Sequence, residues 1–381
     1  MGNNRTYLDH AASTPLDPEV LEAMLPFLTA EFGNPSSIHR EGRRVRAALD
    51  DARDIIATTL GCEYSEITFT GSGTEADNLA IIGVMDAAQG DRDHLIVSEI
   101  EHHAILHAAH RAESHGFKVT ILPVDSHGFV STASLEEAIT DRTALVSIMH
   151  ANNEIGTIQD VARFAKIAHE RGALFHADAV QTFGTLPMNV GGMGADLLTI
   201  SAHKIYGPKG IGALYSRTGV KVSPIIVGGA QERERRAGTE NVAGIIGFGR
   251  ATTLAVSKRE SEFERLSGLR DKFIDDLLTG VKGAVLNGPS DRRLPNNINV
   301  SIEGVDGSSL IMGLDRMGIA ASSGAACSSG SIEPSHVLKA IGRTGDIAAS
   351  GVRFSLGRST RSEMLSYVVK SMVEIVDRNR T

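Results

Sequence analysis

Cysteine is nearly missing from this chain: Cys62 and Cys327 are the only two in 381 residues, and they stand far apart. That excludes a disulfide framework and a Cys-x-x-Cys metal or redox motif, and it suits a reducing compartment. No apolar run approaches the ~18 residues of a membrane span, and no N-terminal apolar stretch resembles a signal peptide, so the sequence predicts a cytoplasmic protein away from membranes. Basic residues fall short of acidic ones, 38 Lys and Arg against 46 Asp and Glu, leaving a formal net charge of -8. Nucleic acid and anionic membranes need a basic face that displaces counterions, so neither is expected as a direct partner. There is no internal repeat, no low-complexity tract and no P-loop, because no glycine turn is followed by Gly-Lys-Ser/Thr at the required spacing. Tryptophan is absent too, and that excludes no function.

What is present reads as an α/β chain. Apolar runs at 66–69, 94–98, 118–122, 144–149, 173–177 and 195–200 alternate with helical patterns at 75–88, 102–115, 134–139 and 160–171. This alternation predicts a mostly parallel sheet covered by helices. From about 250 the pattern changes to a charged helix near 254–279, strands near 283–286 and 298–302, a helix near 308–317, a loop around Cys327 and a closing helix. The reading is therefore a large domain over 16–250 and a smaller α+β C-terminal domain over 251–381, with residues 1–15 packed against the latter.

Chemistry gathers where buried strands end, which is where open α/β sheets bind ligands. The run Ala195 to Ile200 leads into Ser201-Ala202-His203-Lys204. An amine there can form a Schiff base with an aldehyde, as the lysine of pyridoxal phosphate (PLP) enzymes does; read alone, it could equally be a solvated lysine. The run Ala173 to Ala177 delivers Asp178, with Gln181 just beyond, and a carboxylate there can keep a pyridine nitrogen protonated. Glu66 to Phe69 runs through Gly71-Ser72-Gly73-Thr74 into a helix, a ready anion site for a phosphate. His102 begins a helix after a strand end, where it could lie over a cofactor ring or serve as a polar helix start. His103, His107 and His110 share one face of that helix, yet no cysteine or strand-end carboxylate completes a metal set. In His150-Ala151-Asn152-Asn153-Glu154 the amides either hold a ligand or close an Asx turn.

Taken in order, Tyr7-Leu8-Asp9-His10-Ala11-Ala12, Phe32-Gly33-Asn34-Pro35-Ser36-Ser37, His150 to Thr157, Ser201-Ala202-His203-Lys204, Gly238-Thr239-Glu240-Asn241 and Ser322 to Gly330 resemble cysteine desulfurases of the NIF/ISC type, which are PLP enzymes of fold type I within the class V aminotransferases. The resemblance runs from residue 7 to about 373. It implies that Lys204 holds PLP, that Asp178 pairs with the ring nitrogen, that Gln181 contacts the ring hydroxyl and that His102 stacks on the ring and carries protons. It implies phosphate contacts from Gly73, Thr74, Ser201 and His203, with Thr239 supplied by the second subunit of a homodimer. Asn152 and Arg353 are implied to bind the carboxylate of L-cysteine. Cys327, in a Ser- and Gly-rich loop, is implied to take the sulfur as a persulfide and pass it to an iron–sulfur scaffold protein or another acceptor. The long Ser-Ser-Gly loop favours this group over the SUF type. His10, Ala237 and Ala325 depart from residues common in the family. A selenocysteine lyase or a class V aminotransferase is the alternative.

Overall fold

The computed structural model describes residues 5–88, 90, 92–323 and 334–380, so Cys327 lies outside the described residues. Seven strands form the main sheet, in the spatial order Ile67–Thr70, Gly212–Ser216, Leu197–Ser201, Leu174–Asp178, Thr143–Ser147, His94–Ser98 and Lys118–Leu122. Gly212–Ser216 runs antiparallel to both neighbours, and the remaining pairs are parallel. Every residue of Thr143–Ser147 and Leu197–Ser201 is buried, which is why these strands appear in sequence as unbroken runs rather than alternating ones.

The helices Gly73–Ala87, His103–Ser114, Thr132–Ala138 and Val161–Glu170 connect the strands, and each opens on a side chain that accepts a free backbone N–H: Ser72, His102, Ser131 and Asp160. Because the parallel strands share a direction, the segments following residues 70, 98, 147, 178 and 201 meet at one edge of the sheet.

Helix Val242–Gly280 is 39 residues long and begins well before the expected 254. Its first turns hold Gly244, Gly247 and Gly249, which read as loop on propensity. A Cβ at Gly249 would lie 2.9 Å from the Cβ of Ala52, so glycine is what lets helix Arg40–Leu60 close against it. The long helix serves two cores. Phe248, Ala251 and Leu254 join the cluster around the main sheet, whereas Leu266, Phe273 and Leu277 join a second cluster. A division at 250/251 thus falls inside a continuous helix.

The second cluster packs on an antiparallel sheet in the order Ser322–Ser323, Val352–Ser355, Asn297–Ile302 and Ala284–Leu286, with helices Gly307–Arg316 and Ser362–Arg380. Val352–Ser355 is a strand that the sequence pattern does not reveal. Thr6–Tyr7 pairs in parallel with Ile319–Ala320, and Asp9 bridges to Ser355. No described helix is long and apolar enough to cross a membrane.

Candidate active site

A cavity of about 290 Å³ opens at the C-terminal edge of the main sheet. Gly73, Thr74, His102, Asp178, Gln181, Ser201, His203, Lys204 and Arg353 all line it. Lys204 closes the short 3-10 turn Ala202–Lys204 that follows strand Leu197–Ser201, and its Nζ donates to the carbonyls of Ala11 at 2.5 Å and Ala12 at 2.8 Å. Two residues on, Tyr206 has φ 67, an unfavourable value for a non-glycine residue. It is held at both ends: its N–H donates to Thr14 Oγ1 at 2.8 Å and its hydroxyl accepts from Arg358 N–H at 2.7 Å. Such over-determined backbone is how a fold keeps a strained turn next to a reactive side chain.

Asp178 ends its strand and accepts from Val180 N–H at 2.9 Å. Burial pushes its pKa up to about 6, against the opposing pull of that N–H and of Lys204. Gln181 Nε2 donates to Ala11 O at 3.1 Å. The Ser72-Gly73-Thr74 turn presents the N-terminus of a 15-residue helix to the cavity, and Ser201 Oγ beside it is buried with no partner among the described residues. The turn sits so close to the neighbouring strand that a Cβ at Gly212 would come within 2.6 Å of the Ser72 carbonyl carbon. His102 Nδ1 accepts from Ala104 N–H at 3.2 Å. Burial first, then Lys204 and the adjacent histidines, lower its pKa to about 4, so the ring is neutral at pH 7. His203 is likewise lowered to about 4, by burial and then by Lys204 and Lys209.

Arg353 comes from the small sheet. Its Nη2 pairs with Asp9 at 2.9 Å and its Nη1 donates to Asn153 O at 3.2 Å, while Nε is buried and has no partner among the described residues.

Residues 6–368 match the family described as aminotransferase class-V. The cysteine desulfurase IscS of Dictyoglomus turgidum is 52% identical over 375 residues, covering 98% of this chain and 95% of that one. The chain belongs to the cysteine desulfurases. The IscS of Methanosarcina thermophila is 49% identical over 378 residues, covering 99% and 93% of the two chains. Among solved structures, a NifS-like protein superposes with a TM-score of 0.93 at 38% identity, covering 98% of this chain and all of that one. A structure described as SspA in complex with cysteine gives 0.82 at 38% identity, covering 92% and 98%.

Cysteine desulfurases depend on PLP, and the residues present fit that cofactor. A phosphate needs donors, and here are a helix N-terminus and the orphaned hydroxyl of Ser201. A pyridine nitrogen needs a carboxylate, and an aldehyde needs an amine; Asp178 and Lys204 stand on adjacent strand ends.

Asn152 does not line the cavity: its Oδ1 accepts from the N–H groups of Glu154 and Ile155, and its Nδ2 donates to Ile100 O, so the amide is spent closing the turn. Asn153 lines the cavity in its place. Thr239 is exposed and is not among the residues lining this chain's cavity. Cys62 is a poor candidate for sulfur chemistry, since burial, then Glu66 and Glu63, push its thiol up to about 12. Sequence reasoning missed Asp77, a cavity-lining carboxylate on helix Gly73–Ala87. The available signal was its spacing, one turn before the apolar Ala80 and Ile81, on the buried side of the helix.

Proposed function

We propose that the chain moves the sulfur of L-cysteine onto Cys327 as a persulfide and releases L-alanine. The observation that carries this reading is the convergence of Lys204, Asp178 and the Ser72–Thr74 turn on one cavity that also receives the Arg353 guanidinium. Lys204 holds PLP through its aldehyde, Asp178 and Gln181 take the ring nitrogen and hydroxyl, and Gly73, Thr74, Ser201 and His203 take the phosphate. When bound, PLP supplies an electron sink for a carbanion at the substrate's α-carbon. Arg353 orients the substrate carboxylate, using the Nε that has no partner among the described residues. Asn153 takes the place at the cavity first given to Asn152. Lys204 and the neutral His102 carry the α-proton, each needing to be unprotonated to accept it. The Cys327 thiolate attacks the substrate sulfur; the carbon–sulfur bond breaks, the sulfur–sulfur bond forms, and the carbon product ends as alanine after taking up a proton.

Thr239, exposed on this chain, serves the cavity of a second copy, so the working unit is a homodimer. The persulfide passes to an iron–sulfur scaffold protein or another thiol acceptor in the cytoplasm, where a lone reactive cysteine stays reduced. The deciding experiment is anaerobic incubation of the PLP-loaded protein with L-cysteine and no reductant. Peptide mass spectrometry is expected to find one added sulfur on Cys327 together with free alanine. Alanine formed equally well by Cys327→Ser would overturn the reading.

A further inference from the structure

The four-stranded sheet has one apolar face and one polar face, and both are buried. On strand Asn297–Ile302, Ile298, Val300 and Ile302 join the small core, while Asn297, Asn299 and Ser301 alternate onto the other side. Arg353 and Ser355 stand directly across from Asn299 and Asn297 on the adjacent strand, so they share that polar face. All five polar residues are 4% exposed or less. A buried polar face has to find hydrogen-bond partners, and this one finds several in the turn that Asn152 closes.

Asn297 Nδ2 donates to Asn153 O and to Glu154 O, both at 3.2 Å, and Asn299 Nδ2 donates to Glu154 O at 3.1 Å. Asn153 O also accepts from Arg353 Nη1 at 3.2 Å. A carbonyl oxygen has two lone pairs, and here each has its donor. On the other side of the guanidinium, Asp9 Oδ1 accepts from Nη2 at 2.9 Å. The Asp9 backbone is fixed independently of that pair: its carbonyl accepts from the Tyr7 hydroxyl at 3.1 Å and from the N–H groups of Ala12 and Ser13, and the residue bridges to Ser355. Each terminal nitrogen of Arg353 thus has an acceptor, and Nε has none among the described residues. Because a guanidinium is planar and rigid, holding its two terminal nitrogens also sets the direction of the Nε–H bond. Fixing it in advance removes an ordering cost that ligand binding would otherwise carry.

We propose that Asp9 and Asn297 are positioning residues for substrate recognition: Asp9 holds Nη2 directly, Asn297 holds Nη1 through the Asn153 carbonyl, and together they present Arg353 Nε to the α-carboxylate of the amino-acid substrate. The proposal rests on the role given to Arg353 above. Recognition of the carboxylate, rather than of the amine or the thiol, is what depends on the two residues. A reverse arrangement, in which the Asp9 carboxylate competes with the substrate for the guanidinium, makes the opposite prediction.

The test compares two ligands of the PLP-loaded protein: L-cysteine, and 2-aminoethanethiol, which is the same molecule without its carboxylate. Each is titrated by rapid-mixing absorbance of the bound cofactor, and the readout is the ratio of the two dissociation constants. General damage to the fold or the cofactor site weakens both ligands together and leaves the ratio alone. Asp9→Ala is expected to reduce the preference for L-cysteine about tenfold, the size of one hydrogen bond to a charged group, with 2-aminoethanethiol unaffected. Asp9→Asn keeps an acceptor for Nη2 and is expected to lose less; an equal loss would make charge rather than orientation the cause and overturn the role of Asp9. Asn297→Ala is expected to reduce the preference about threefold, since it acts through one neutral hydrogen bond. If that variant does not fold, Asn297→Ser replaces it with the same expectation. An unchanged ratio in Asp9→Ala or in the Asn297 variant overturns the role of that residue, and a preference that rises in Asp9→Ala overturns the proposal in favour of competition. Arg353→Ala separates the failures: if it leaves the ratio intact, the role of Arg353 falls and the proposal with it, whereas a ratio that collapses there and holds in the other variants refutes the positioning alone.

Discussion

Around the seven-stranded sheet, the residues of the site stand at the ends of strands whose interiors are sealed on both faces, and their ionisation is displaced accordingly. His102 falls to about 4 and Asp178 rises to about 6, each with burial as the leading cause. Around the four-stranded sheet the contribution is a single cation, Arg353, in the middle of a four-residue strand, with Cys327 following the neighbouring strand in sequence. Groups that must be tuned are embedded in the large core, where low polarity amplifies every charge. The small one sends its guanidinium into the cavity that the large one builds.

The sharpest way to break this comparison is a pair of variants. Lys204→Ala is expected to abolish both turnover and the cofactor's bound absorbance, whereas Cys327→Ser is expected to abolish alanine formation with the absorbance intact. Activity assays and spectra on the same samples check it, and loss of the spectrum in Cys327→Ser would erase the distinction.

Next in size is a charge buried beneath the large sheet. Arg53 makes two 2.7 Å contacts with Glu232, which also accepts from Phe69 N–H, and both side chains are almost fully buried. Arg53→Met leaves Glu232 without its cation and should lower stability by about 3–5 kcal/mol, measured by urea unfolding. Arg353→Lys tests the small sheet's share: losing the planar fork should raise KM for L-cysteine roughly 10- to 100-fold with a smaller change in kcat, as steady-state kinetics would show.

The smallest effect concerns His10, a buried ring whose nitrogens make no close hydrogen bond among the described residues and whose pKa is lowered to about 4 by burial, against a weaker opposing pull from the Tyr7 backbone. The folded value lies below the unfolded one near 6.5, so the unfolded chain binds the proton more readily. Stability that depends on a neutral His10 is complete above about 6.5 and is lost as pH falls toward 4. His10→Asn should flatten that acid decline by on the order of 1–2 kcal/mol, read from unfolding free energies at pH 7, 5 and 4.

The sequence made the large sheet legible because parallel strands buried on both faces leave continuous apolar runs, and the residue after each run announces the site. Lys204, Asp178 and the Ser72–Thr74 turn were visible in that way. What stayed hidden has physical reasons. Two adjacent asparagines carry the same chemistry, and only the folded turn shows that Asn152 closes it while Asn153 faces the cavity. Val352–Ser355 is too short, and too polar at Arg353, to display a period. The start of helix Val242–Gly280 is disguised by glycines that exist for close packing against Ala52. Asp77 lies on a helix, where a carboxylate ordinarily signals solvent.

The two carbonyls that hold the Lys204 amine belong to a strip of chain anchored elsewhere. Leu8 N–H donates to Ala320 O at 2.8 Å, Ser355 N–H donates to Leu8 O at 2.7 Å, and Ala11 N–H donates to Ser355 Oγ at 2.8 Å. Three residues after Leu8, the same strip reaches the lysine. One unbroken run of backbone therefore ties the edge of the small sheet to the amine of Lys204, and Ala11 and Ala12 in it also form part of the cavity wall.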